Sequence, residues 1–153
     1  MKKKELKIKK IKNGTVIDHL PGGSSLSILE ILGIGEGYKN SVSVAMNVKS
    51  GKGRKDIVKI EDKILKSSET DKLALIAPNA TINIIKNYEV KKKNKVSTPD
   101  EFSGIVTCAN PNCITNKKEP VTAEFSVENK EPIQLRCKFC ERLMDKDQIQ
   151  SHL

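Results

Sequence analysis

Period-two alternation of apolar and polar residues predicts strands at several places along the chain. ELKIKKI sets Leu6 and Ile8 against Lys7 and Lys9 and is expected to open the sheet. GTVIDHLPGG is then expected to turn the chain. SSLSILEILG carries a helical stripe through Ile28, Leu29 and Leu32, with Ser24 or Ser25 as N-cap and Gly33 as the stop. SVSVAMNV alternates over Val42, Val44, Met46 and Val48; KSGKGRK turns, and RKDIVKIED returns as the next strand. Ser68 and Asp71 begin a second helix in capping-box fashion, Pro78 ends it, and ATINIIKNYEV closes the series as a strand.

The order strand, helix, strand, strand, helix, strand predicts an α+β fold. It is the ferredoxin-like βαββαβ arrangement, an antiparallel sheet with two helices on one face. Functional residues are then expected on the open face. Placing Val58 and Ile60 inward turns Lys55, Ile57 and Lys59 outward, and placing Ile82 and Ile84 inward leaves Asn83 and Ile85 outward. KKKNKVSTPDEFSG reads as a linker, dividing the chain into domains 1–97 and 98–153. In the second, VTAEFSV and IQL predict a hairpin, and DKDQIQSHL a short helix or a frayed end, with His152 exposed.

Composition adds chemistry. The formal charge of +9 favours anionic partners: nucleic acid, phosphorylated small molecules or an acidic protein. Three Phe, two Tyr and no Trp leave little for base stacking, which weakens the single-stranded nucleic-acid option. MKKKELKIKK has no apolar core behind it and does not read as a secretory signal, and no run approaches a membrane span. A cytoplasmic, non-membrane protein is expected.

The cysteines Cys108, Cys113, Cys137 and Cys140 lie in CANPNC and CKFC. Two turn-length spacings joined by a hairpin suit a tetrahedral four-thiolate site, giving a small all-β domain of zinc-ribbon or rubredoxin type. Zn2+ and iron share this ligand set; zinc is favoured because nothing else suggests electron transfer. Four thiolates leave no open position, so such a metal is structural. Nucleophile elbow, Walker loop and HExxH are all absent from the sequence, and Asp18 beside His19 is weak as an acid–base pair because strand neighbours face opposite ways. No catalysis is expected.

GTVIDH (14–19), SGKGRKDIVKIE (50–61), LALIAPNATINIIKNYEV (73–90) and CANPNC…CKFC together resemble the regulatory chain of aspartate carbamoyltransferase. The match runs in order over nearly the whole chain and is weakest through 21–49 and beyond Met144. The resemblance implies a noncatalytic subunit controlling pyrimidine biosynthesis, with an N-terminal nucleotide-binding domain and a C-terminal zinc domain docked on separate catalytic chains. It implies CTP as inhibitor, ATP as competing activator, one structural Zn2+ per chain, pairing of regulatory chains, and no nucleic-acid partner. By similarity Asp18 holds ribose hydroxyls, His19 and Lys93 meet the triphosphate, and Lys59 reaches ribose and base. Lys55, Asn83 and Tyr88 lie nearby, with backbone around Ile11 and Tyr88 reading the base. Asn110, Asn112, Glu141 and Arg142 become contacts to the catalytic chain. Lys91, Lys92 and Lys95 crowd the phosphate end beyond the family pattern, so the assignment of Lys93 rests on register. From the residues alone, a zinc-ribbon accessory protein gripping nucleic-acid phosphates is the alternative.

Overall fold

The computed structural model describes residues 10–51, 53–118 and 121–153. The strand expected at ELKIKKI falls mostly outside these residues, as does the basic N-terminus; Lys10 and Ile11, which are described, are not in a strand. The chain divides into two compact units, one of residues 1–66 and 79–96, the other of 67–78 and 97–153.

In the first unit the strands are β1 (Gly14–Pro21), β2 (Val42–Ser50), β3 (Gly53–Glu61), β4 (Thr81–Lys86) and β5 (Glu89–Lys95), with helix α1 (Ser25–Ile31) between β1 and β2. They form one antiparallel sheet in the order β2-β3-β1-β4-β5. The first four places are the ferredoxin-like order, and β5 is an addition at the edge. Ile17, Leu20, Val58 and Ile60 are buried with Ile28 of α1. Helix α1 ends in a Schellman motif: Gly33, at φ 71°, donates to Glu30 O and Ile34 donates to Leu29 O. The left-handed backbone there is why the stop is a glycine.

Three expectations need correction. GTVIDHLP is strand β1 rather than a turn; only the PGG segment after it reverses the chain. KKKNK lies in β5 rather than in a linker, because ATINIIKNYEV folds back on itself at Asn87 and Tyr88 (φ 52° and 67°), a two-residue hairpin turn. The side alternation of SVSVAMNV fails after Ala45, leaving Met46 exposed.

That last failure is one of two β-bulges flanking β3. Ile17 pairs with Val58 and Leu20 with Asp56, so Asp18 and His19 share the place opposite Ile57. Ala45 pairs with Ile57 and Val48 with Lys55, so Met46 and Asn47 share the place opposite Asp56. Each bulge contains a non-glycine residue at positive φ, His19 (58°) and Asn47 (55°), and each is capped by an aspartate. His19 N–H donates to Asp18 Oδ1 at 2.6 Å. Asn47 N–H donates to Asp56 Oδ1 at 2.8 Å. Asp56 is fully buried and also accepts from Gly23 and Ser25 N–H, each at 2.9 Å. Burial works against its charge, but the three backbone donors hold its carboxyl below the ordinary value.

The second unit contains helix α2 (Ser67–Ile76), strands β6 (Glu101–Ser103), β7 (Glu124–Lys130), β8 (Ile133–Cys137) and β9 (Leu143–Met144), and helix α3 (Lys146–Ser151). The strands form an antiparallel sheet in that order. Helix α2 begins at Ser67, so Ser68 lies inside it rather than capping it. Leu75 of α2 joins the core of this unit with Phe102, Phe125, Leu135, Met144 and Ile149. The end of the chain is ordered: Asp145 and Gln148 make a reciprocal capping box, and Ile149 is buried. His152 is half-buried rather than exposed, with Thr107 Oγ1 3.1 Å from its Nδ1. Within 98–153 the four-stranded sheet is the expected small β domain, closed by the short helix α3.

Candidate functional site: a polar sheet face and a four-thiolate centre

Directly paired residues on antiparallel strands project from the same face. The pairs Val16–Lys59, Val16–Asn83 and Asn83–Lys93 therefore put Lys59, Val16, Asn83 and Lys93 in one row across β3, β1, β4 and β5. Asp18 is two residues along β1 on that face and pairs with Thr81. Lys55, four residues from Lys59 along β3, also faces this way, and its Nζ lies 2.9 Å from Asp18 Oδ1 and 3.2 Å from Oδ2.

The β1 bulge changes the expected relation between Asp18 and His19. A regular strand would send them to opposite faces. The extra residue instead leaves His19 exposed, Asp18 half-buried, and Leu20 in the core. His19 Nδ1 is 3.1 Å from Thr81 Oγ1. Partial burial pushes the Asp18 carboxyl up. The Lys55 ammonium and the His19 N–H outweigh it, so Asp18 titrates below an ordinary aspartate. Lys59 titrates below an ordinary lysine, chiefly through desolvation and then through repulsion from Lys10, with Asp18 partly opposing.

Around the hairpin end, Tyr88 is exposed at φ 67° and its N–H donates to Lys12 O at 3.0 Å. Asn87 N–H reaches Asn13 Oδ1 at 3.3 Å, and Ile11 is buried. Ile85, expected to be open, is buried as well, next to an irregularity in the β4–β5 register. This end of the face is thus apolar and backbone-lined, while the other is rich in ammonium groups.

In the second unit Cys108, Cys113, Cys137 and Cys140 bring their sulfurs within 4.8 Å of one another. Cys108 and Cys140 are 3.6 Å apart, and Cys113 and Cys137 3.7 Å. Four sulfurs at ~2.3 Å from a tetrahedral ion would lie about 3.8 Å apart. The donor set therefore fits a metal ion, and these separations are too long for disulfide bonds. Burial pushes the Cys108 thiol up to about 12. Burial acts on Cys140 too, but the Arg142 N–H and the Asn110 side chain bring it down to about 7.

Residues around the sulfurs shape the knuckles. Thr115 Oγ1 donates to Cys113 Sγ at 3.1 Å and Phe139 N–H to Cys137 Sγ at 3.4 Å. Asn116 Nδ2 is 2.8 Å from both Cys108 O and Asn110 O. Asn110 Oδ1 accepts from Asn112 N–H at 3.0 Å, so its side chain serves the first knuckle. Asn112, Glu141 and Arg142 are exposed, and Glu141 sits at φ 66° with its carbonyl held by Arg136 Nη1 at 2.8 Å.

Asp56, Thr81, Thr115 and Asn116 were not singled out by sequence reasoning. For Thr115 and Asn116 the usable signal was proximity to Cys113 in CITN. For Asp56 it was a lone acid at an inward position of an otherwise apolar alternation, beside Val58 and Ile60. Thr81 had no such mark.

A lysine-bearing sheet face and a cluster of four thiols define a chain with a candidate metal site. The aspartate carbamoyltransferase regulatory chain family supplies the match. The model of its allosteric domain fits residues 6–97, and that of its metal binding domain fits residues 100–150. The chain is 55% identical to the aspartate carbamoyltransferase regulatory chain of Methanocella arvoryzae, over 99% of this chain and 97% of that one. Against the proteins of the same description from Pyrococcus furiosus and Thermoplasma volcanium, identity is 53% and 50%, each over 97% of this chain and 99% of theirs. This chain belongs to the family of aspartate carbamoyltransferase regulatory chains; it is a noncatalytic regulatory subunit with an allosteric and a metal-binding domain.

Proposed function

We propose that residues 1–97 bind CTP as an inhibitor and ATP as an activator, and that residues 98–153, built round one Zn2+, dock on catalytic chains of aspartate carbamoyltransferase. The observation that carries the reading is the row Lys59–Val16–Asn83–Lys93 with Asp18 and Lys55 on the same face and the His19 ring at Thr81 beside them. A nucleotide laid along this face has apolar and backbone groups at the Ile11–Tyr88 end for its base. Asp18 accepts from its ribose hydroxyls, with Lys59 alongside. Ammonium groups on β5 meet its phosphates.

Cys108, Cys113, Cys137 and Cys140 would hold the zinc. When bound, the ion cross-links the knuckles and stabilises a unit too small to rely on its core alone. Asn112, Glu141 and Arg142, with Asn110 supporting the first knuckle, then form part of the docking surface. The effectors act remotely from any chemistry, so each works by binding one quaternary state of the assembly more tightly than another. Regulatory chains pair through their N-terminal domains. Reduced thiols suit the cytoplasm, where this control of pyrimidine biosynthesis would operate. Among the described residues no helix is long and apolar enough to cross a membrane.

The test is reconstitution. The zinc-loaded chain is mixed with aspartate carbamoyltransferase catalytic chains, and complex formation and activity are followed with and without CTP or ATP. A zinc-dependent complex whose activity falls with CTP supports the reading. No complex, and activity indifferent to either nucleotide, would overturn it. Steeply salt-dependent binding to nucleic acid that survives Asp18→Ala would favour an accessory nucleic-acid protein instead.

A further inference from the structure

Lys91, Lys92, Lys93 and Lys95 are alike in charge and are all exposed. The β4–β5 register separates them. Lys93 pairs with Asn83 and Lys95 with Thr81, whereas Lys92 pairs with Ile84 and Asn94 with Ile82. Lys93 and Lys95 therefore project from the face that carries Asp18, and Lys92 from the opposite face. Lys91 lies in the irregularity between the pairs Ile84–Lys92 and Ile85–Val90.

Lys95 shares its row with Asp18, through Thr81. Thr81 is 3% exposed and its Oγ1 is 3.1 Å from His19 Nδ1. A buried hydroxyl thus meets an imidazole from one neighbouring strand, on a residue that pairs with Lys95 of the other. The Lys93 row lies two residues, or about 7 Å, along the strands. Two lysines rooted at that backbone spacing on one face suit a chain of phosphates rather than a single one.

We propose that Lys95 is a specificity-determining residue of this face, binding the outer phosphates of a nucleoside triphosphate together with Lys93 and His19. The assignment rests on the nucleotide reading above and goes beyond it. Lys95 selects for phosphate-chain length, and Lys92, adjacent to Lys93 but on the opposite face, contributes only diffuse charge.

The experiment is isothermal titration of the full, metal-loaded chain with CTP and with CMP, for wild type, Lys95→Gln and Lys92→Gln. Both substitutions remove one charge from the same exposed strand. Loss of a charge-assisted phosphate contact should weaken CTP binding about tenfold in Lys95→Gln and leave CMP within about threefold. Lys92→Gln should leave both within about threefold. Unchanged CTP affinity in Lys95→Gln, or equal weakening in the two variants, would overturn the assignment. Failure of the wild type to bind CTP or ATP would remove the nucleotide reading itself, and the role of Lys95 with it.

Discussion

The carboxylate of Asp56 accepts the N–H of Asn47 at 2.8 Å, fixing a buried charge on β3 to the bulge of the neighbouring edge strand. With Gly23 and Ser25 it satisfies three donors from two segments, the start of α1 and the bulge of β2. Asp56→Asn keeps the shape but turns an amide N–H2 toward backbone donors, and should cost roughly 2–4 kcal/mol of stability, read by urea denaturation. The Asp56 carboxyl is depressed in the folded state, so its contribution is present above the unfolded carboxyl pKa and is lost as pH falls through the folded one. Wild-type stability should therefore fall more steeply with acid than that of the variant. Equal stability at neutral pH would show that the three hydrogen bonds are not needed.

Asp18 is held by Lys55 at 2.9 Å, ready to accept from hydroxyl groups. Asp18→Ala should weaken CTP binding about tenfold or more, by loss of hydrogen bonds to a charged acceptor. The same substitution should have little effect on 2′,3′-dideoxy-CTP, which has no ribose hydroxyls to offer. Comparable losses for both ligands would assign Asp18 to the fold of the site rather than to the sugar.

Lys59 loses its proton more readily than an ordinary lysine, because it is desolvated and repelled by Lys10. The protonated form is the one that attracts a nucleotide. CTP affinity should therefore decline as pH rises toward the ordinary lysine range, before exposed lysines lose their charge. Lys59→Arg should remove this decline, since guanidinium stays charged. Titration calorimetry between neutral and alkaline pH, on variants with confirmed secondary structure, reads the difference.

Metal analysis should find one zinc per chain, and chelation should unfold the second unit in proportion to metal released, as followed by circular dichroism. Thr115→Val removes the hydroxyl that donates to Cys113 Sγ at 3.1 Å. It should speed metal loss to a chelator by about tenfold, the scale of outer-shell effects, and Thr115→Ser should restore retention. Iron with visible absorbance would replace the zinc assignment.

The four-cysteine centre was legible because ligand geometry demands particular residues at turn-length spacings, and the inward positions Val58 and Ile60 were legible because burial enforces alternation. Strand β1 was hidden for the opposite reason. Its bulge at Asp18 and His19 interrupts the period of two, so GTVIDHLP looks like a turn. Strand β5 was hidden because all seven of its residues are exposed, and an edge strand held by backbone hydrogen bonds need show no apolar face. The KKKNK run thus reads as solvated linker. Asp18 and Lys93 entered through the resemblance; the sheet register then gave them a common face.

The bulges at His19 and Asn47 each add a single residue opposite β3. Strand parity beyond each point is consequently a matter of counting. Removing one residue from between Ile17 and Leu20 would leave Leu20 opposite Asp56 and the core as it is, yet one residue rather than the Asp18–His19 pair would remain to meet the ligand. Part of what this chain recognises is therefore written in spacing, where substitution scans are blind and single-residue deletions are not.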